Sequence, residues 1–274
     1  NIANNTIANI TDQLDNHGVF LLRNSHTNIN DFTNLLDALC SEIYFDPARN
    51  KNTKNTQTVD AGREAIGLHI ENGNTPLPPD TVAFYSEKSA EFGSQTTWCD
   101  GVALYQNLPE NLQKKFLQPI VVTRNLPRIR WATYVAEVLH IDNPSSVTQS
   151  DLHRLFAQVP GQSATFDEDE NCLYSLMIQP TLLVKNNGQR AFANALLGPS
   201  FNYEKPNYRF DNGEPVSEQD IALIRSVAEQ HTQEVAWRNG DILLLDNKRI
   251  MHGRRSITCP SSNRVLHVGM GKRH

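Results

Sequence analysis

Apolar residues recur along the chain at two spacings, and the changes between them mark out its elements. Residues 1–16 read as a short polar helix and 18–23 (GVFLLR) as a strand. Over 30–43, Phe32, Leu35, Leu36 and Leu39 fall at helical spacing, which predicts a helix. Residues 47–60, rich in Asn, Lys and Thr and poor in apolar side chains, predict an exposed surface loop, with a mobile lid as the alternative. Strands are expected over 65–71, 81–85 and 120–123, and a helix over 109–116. Residues 127–139 suit a helix or a loop followed by a helix, and 150–159 another helix. Residues 173–185 make one or two strands broken near Pro180, followed by a turn at Asn187–Gly188. The clearest helix spans 217–234, with Ser217 as N-cap and Ile221, Leu223, Ile224, Val227 and Ala228 as its apolar face. Two strands, 241–245 and 264–270, close the chain.

Strict strand–helix alternation is missing, which argues against a doubly wound parallel sheet. The pattern predicts a mainly antiparallel β core with helices outside it (α+β). One domain over 1–274 is expected, with a mostly helical insert around 124–165. Composition narrows the functional classes. A net charge of −5 gives no bulk case for binding nucleic acid or an anionic membrane. No apolar run reaches the length of a membrane span. Cys40, Cys99, Cys172 and Cys259 are scattered without CxxC spacing, which favours a reducing, cytoplasmic setting. No signal peptide is visible, although the chain starts at Asn1 and not at Met, which leaves room for a preceding segment.

The candidate chemistry lies in two distant stretches. In GLHIENGN, His69 and Glu71 are two apart, so on a strand they would point to one face. Alone, such a pair is most often a pair of surface residues. The C-terminal stretch GDILLLDNKRIMHGRR adds His252, and twelve residues later comes Arg264. Two histidines and one carboxylate can occupy one face of an octahedral ion and leave three positions open, the arrangement of non-heme Fe(II) oxygenases. Asp246 and Asn247 are expected to shape the turn before His252, and Arg254 and Arg255 to serve structure or the cavity rim.

GLHIE, then GSQTTWCDG (93–101), then GDILLLDNKRIMHGRR with Arg264, resembles the TauD/TfdA-like Fe(II)- and 2-oxoglutarate-dependent oxygenases over about 65–270. The resemblance implies a double-stranded β-helix (jelly-roll, clavaminate synthase-like) core. It implies Fe(II) on His69, Glu71 and His252, and 2-oxoglutarate with its distal carboxylate on Thr96 and Arg264. O2 would be consumed as CO2 and succinate are released. Glu71 replaces the family's more usual Asp, and a carboxylate there argues against the halogenase branch. Many members place a second arginine four residues after the first; here that position is Val268, which argues against a taurine-like substrate held that way. Arg128, Arg130, Lys185 and Arg190 remain open as cations for a substrate acid. Trp98, Trp131 and Tyr134 could line the pocket, with core packing as the plainer role. The wording GREAIGLHIENGNTP and FYSEKSAEFGSQTTWCDG further resembles the isonitrile-pathway oxygenases of the PvcB type. That implies conversion of a tyrosine-derived isonitrile to a vinyl isonitrile, with Arg or Tyr contacts to the substrate carboxylate. The competing readings are a hydroxylase of an amino-acid-derived or carrier-bound precursor, a zinc hydrolase on the same triad, and a noncatalytic β-sandwich. The expected partner is a small-molecule substrate.

Overall fold

The computed structural model describes residues 4–23, 26–46, 49, 51–59, 62–186, 188–198, 205–259 and 263–274. The N-terminal third runs α1 (Asn4–His17), β1 (Val19–Leu22), α2 (Ile29–Leu39), β2 (Cys40–Tyr44), β3 (Gln57–Thr58), β4 (Ile66–His69), β5 (Thr81–Lys88) and β6 (Thr96–Asp100). The middle runs α3 (Gly101–Asn107), α4 (Glu110–Lys115), β7 (Ile120–Leu126), α5 (Arg128–Leu139), α6 (Gln149–Phe156), β8 (Gln162–Phe166), β9 (Cys172–Ile178), β10 (Thr181–Leu183), β11 (Arg190–Phe192) and β12 (Asn207–Phe210). The chain closes with α7 (Glu218–Gln230), β13 (Thr232–Val235), β14 (Ile242–Asp246), β15 (Ile250–Arg254) and β16 (Val265–Arg273).

Two antiparallel sheets build the double-stranded β-helix. The larger has the order β1-β14-β5-β16-β2, with β3 also on β16; the smaller has the order β13-β6-β15-β4. Alternation along the strands explains the packing. Val82 and Phe84 of β5, with Leu243 and Leu245 of β14, turn inward to meet Val235, Trp237 and Ile250 between the sheets. Their neighbours Ala83, Tyr85, Ile242 and Leu244 turn outward beneath Ile10, Leu14, Phe32, Leu35 and Leu36 of α1 and α2. Both faces of β5 and β14 are therefore covered, which is why these strands read as continuous apolar runs. A core Leu such as Leu243, fully buried, is worth about 2–5 kcal/mol on truncation to Ala.

A third sheet, β12-β7-β9-β8, lies beside this core. Helices α5 and α6 fall between its strands β7 and β8 and pack on it through Trp131, Val135, Leu152, Leu155 and Tyr174. β10 and β11 pair as an antiparallel hairpin. Its expected turn includes Asn187, which lies outside the described residues; Gly188 has a positive φ of 65°.

Several expectations need correction. The helix expected over 30–43 ends at Leu39, because the polar–apolar alternation of CSEIY lets β2 pair with β16. The helix expected over 217–234 keeps its Ser217 cap, which accepts from the Asp220 amide, but gives way to β13 on β6. Three strands close the chain, not two, since His252 lies on a strand of its own. The exposed loop expected over 47–60 is corrected most: Asn55, Thr56 and Gln57 are buried. Gln57 accepts from the Asp46 amide (2.9 Å) and donates to the carbonyls of Asp46 (2.8 Å) and Arg49 (3.1 Å). Pro47, Ala48, Asn50 and Asp60 of that stretch lie outside the described residues.

Candidate active site

Strand register brings the two histidines together. β15 pairs with β4 so that His252 stands opposite His69, and with β6 so that His252 stands opposite Trp98 and Arg254 opposite Thr96. Residues two apart share a face, so Ile250, His252 and Arg254 share one side of β15. Gly253 between them is required by close approach: a Cβ there would sit 2.4 Å from the Ile66 carbonyl oxygen. The His69 and His252 rings lie 4.5 Å apart by centroid, and the edge of Phe84 meets His252 at 5.3 Å.

Glu71 lies past the end of β4, in a turn rather than on the strand expected to carry it. Its backbone is fixed by Asn247, whose side-chain oxygen accepts from the Glu71 amide (2.8 Å). The Asn247 amide group donates to the carbonyls of Glu71 (3.0 Å) and Pro79 (2.9 Å). Thus Asn247, expected only to shape its own turn, clamps the residue that supplies the carboxylate. The carboxylate bonds Arg49 Nη2 through Oε1 (2.9 Å), while Oε2 approaches His252 Nε2 at 3.3 Å.

Ligand atoms of His69, Glu71 and His252 all lie within 4.8 Å of one another. His69 Nδ1 is 2.9 Å from the Gly67 carbonyl. A carbonyl only accepts, so Nδ1 carries the proton and Nε2 keeps its lone pair. Burial, followed by the neighbouring His252, pushes His69 down to about 4, so its imidazole is neutral at physiological pH. Burial works against ionised Glu71, yet Arg49 and then His252 outweigh it and hold the carboxyl well below the usual range. Neutral imidazoles and an ionised carboxylate are the forms that bind a metal. Glu71 Oε2 and His252 Nδ1 are buried without hydrogen-bond partners.

A cationic end adjoins this cluster. Thr96, Arg254 and Arg264 line the same cavity of about 840 Å³. Trp237 Nε1 donates to Thr96 Oγ1 (2.9 Å), which leaves the threonine its own proton to donate. Burial and then the like charge of Arg254 push Arg264 down to about 10, still a cation at neutral pH. Arg254 donates to the carbonyls of Gly62 (2.8 Å) and Glu64 (2.6 Å), the structural role expected of it. Arg255 pairs on the surface with Glu229 and Glu234.

The opposite wall comes from the third sheet and its helices: Arg124, Arg130, Tyr134, Gln162 and Tyr174 line it. Of the four cations left open, only Arg130 lines the cavity; Arg128 is spent on Glu170 and the Val147 carbonyl. Trp131 lines the cavity and is also fully buried in the core, whereas Trp98 packs against the core and does not line it. Val268 is buried between the sheets, away from the cavity lining. Sequence reading missed Arg49, Arg124 and Trp237. Trp237 lies just before β14 and carried no motif. Arg124 stands directly opposite Tyr174 in the pairing of β7 with β9, a placement that no local sequence signal announces.

Residues 1–270 match the family model described as taurine catabolism dioxygenase TauD, TfdA family. The chain belongs to the TauD/TfdA dioxygenase family. It is therefore an oxidoreductase of the class that uses Fe(II), 2-oxoglutarate and O2 on small molecules, not a zinc hydrolase or a noncatalytic module. No curated protein matches it in sequence. A taurine dioxygenase from Burkholderia xenovorans superposes with a TM-score of 0.65 at 12% identity, over 99% of this chain and 81% of that one. A second protein from that organism, assigned as an alpha-ketoglutarate-dependent taurine dioxygenase, gives 0.64 at 14%, over 98% and 81%. PvcB from Pseudomonas aeruginosa gives 0.60 at 11%, over 97% and 79%. At these identities the likeness bears on the fold. No helix among the described residues is long and apolar enough to cross a membrane.

Proposed function

We propose that His69, Glu71 and His252 hold Fe(II), and that Thr96 and Arg264 take the distal carboxylate of 2-oxoglutarate. The observation that carries this reading is one cavity lined by a His-Glu-His cluster and, beside it, a half-buried guanidinium and a buried donor hydroxyl. A planar guanidinium can bind both oxygens of a carboxylate, and Thr96 adds a third bond. When bound, iron and 2-oxoglutarate supply, with O2, a two-electron oxidation of the substrate. The chain's own share is to place the reacting carbon beside the iron and to exclude water. Phe84, Leu266 and Ile70 give the metal side an apolar lining suited to that.

For the substrate, the reading is a tyrosine-derived isonitrile converted to a vinyl isonitrile in natural-product biosynthesis. The balance is substrate, 2-oxoglutarate and O2 in, and vinyl isonitrile, succinate, two CO2 and one water out. The support is the PvcB-type sequence resemblance together with the far wall. Tyr134, Tyr174 and Trp131 offer aromatic surface there, and Arg124 and Arg130 offer charge for a substrate carboxylate. Burial raises both tyrosine hydroxyls above their ordinary range, so they stay protonated and able to donate. The test is aerobic incubation with iron, 2-oxoglutarate and tyrosine isonitrile, followed by product mass. Loss of CO2 and two hydrogens is expected. Gain of one oxygen would convert the assignment to a hydroxylase, and an unaltered substrate would remove this compound from it.

A further inference from the structure

The described residues of 46–58, a stretch polar enough to pass for a solvent loop, are built into the protein. Gln57 binds the backbone at Asp46 and Arg49, Asn55 donates to the Thr33 carbonyl and Asp37 (both 3.0 Å), and β3 pairs with β16. These anchors deliver one cation to the cavity. Arg49 Nη2 lies 2.9 Å from Glu71 Oε1, with the carboxylate 6% and the guanidinium side chain 19% exposed. Each oxygen of Glu71 thus has a separate environment. Oε1 faces the guanidinium, and Oε2 faces His252 with no hydrogen-bond partner of its own.

We propose that Arg49 is a positioning residue that reserves Oε1 of Glu71, so that only Oε2 is offered to the metal. This rests on the metal assignment above and adds a residue to it. Glutamate has one more methylene than aspartate, and so more freedom to turn both oxygens onto one ion. A carboxylate that does so takes a second position. The reaction needs three open positions, two for the oxo-acid end of 2-oxoglutarate and one for O2, so a second carboxylate oxygen would compete with the co-substrate. A charge-assisted bond from a guanidinium fixes the rotamer and holds one oxygen back. The cost is a cation near the metal, which disfavours metal binding. Removing it is therefore expected to spare metal affinity while impairing 2-oxoglutarate.

The test uses the full chain, metal-free, titrated anaerobically with Co(II) and then with 2-oxoglutarate. Arg49→Met keeps the bulk of the stem and removes the guanidinium. It is expected to bind Co(II) within about threefold of the parent protein, with a changed visible Co(II) spectrum, and to bind 2-oxoglutarate at least about tenfold more weakly. Arg49→Lys is expected to recover part of that affinity. In a Glu71→Asp background, Arg49→Met is expected to have little further effect, because the two act through one contact. A Met variant with the parent spectrum and parent 2-oxoglutarate affinity would overturn the proposal. So would one that fails to fold, or that loses Co(II) as completely as His252→Ala, since either places Arg49 in the scaffold. If His252→Ala itself still binds Co(II) normally, the metal assignment fails, whatever Arg49 does.

Discussion

The cavity has two walls of different construction. On one, His69 and His252 are set opposite each other by the ladder of β4, β15 and β6, and Glu71 is fixed through two hydrogen bonds to Asn247, which is itself tied to the Pro79 carbonyl. Every part of that wall is tied to a strand of the two core sheets or to the turn after one. The other wall is made from β7, β9 and α5, a separate sheet and an inserted helix. Its cations are set differently, with Arg124 half-buried on a strand and Arg130 exposed on a helix. A wall held by sheet register suits chemistry that tolerates little displacement. A wall held by an insert can vary in side chain and position without disturbing the metal, which suits the choice of substrate.

That contrast predicts a graded set of effects. The largest belongs to the metal wall: His69→Ala or His252→Ala should abolish Co(II) binding in an anaerobic titration, with the fold retained by circular dichroism. Next, Arg264→Ala should weaken 2-oxoglutarate by about thirtyfold or more, the roughly 2–5 kcal/mol range for truncating one partner of a buried charged contact. Its Co(II) affinity should not change, and equal loss of both would merge the two ends of the site. Asn247→Ala removes the clamp on Glu71, and metal affinity should drop by about 10- to 100-fold, as for other groups that orient a ligand. Arg124→Ala should raise KM for an acidic substrate by about tenfold, the scale of one charged hydrogen bond. Metal and 2-oxoglutarate binding should be untouched, and a change in either would show that the walls are coupled. Smallest is Arg255→Ala, on a surface pair worth about 0–1 kcal/mol, which should leave thermal unfolding nearly unaltered.

The same division governs what could be read from the residues. The His-Glu-His cluster proposed to hold the metal was legible because its residues lie in short motifs, and the apolar alternation of β5 and β14 announces the core that frames it. Its supports were not. Asn247 sits in a tight turn, and nothing local signals that its side chain reaches a segment 176 residues away. Arg49 was hidden in a polar run held in place by side-chain hydrogen bonds of Gln57 and Asn55, which hydropathy does not register. β15 was missed because MHGRR has the pattern of a turn. It is a strand because β4 and β6 both pair with it and because Gly253 lets them come close. The far wall gave the weakest signal, since an arginine on a strand reads as a solvent charge until its cavity is known.

The most direct measurement adds Fe(II) and 2-oxoglutarate to the metal-free protein without oxygen and records the visible spectrum. A weak charge-transfer band should rise with both components present. It should be absent in His252→Ala and require more 2-oxoglutarate in Arg264→Ala. A parent protein that binds iron and 2-oxoglutarate yet shows no such band, or a His252→Ala variant that shows it undiminished, would contradict the assignment of the two imidazoles and Glu71 to the iron.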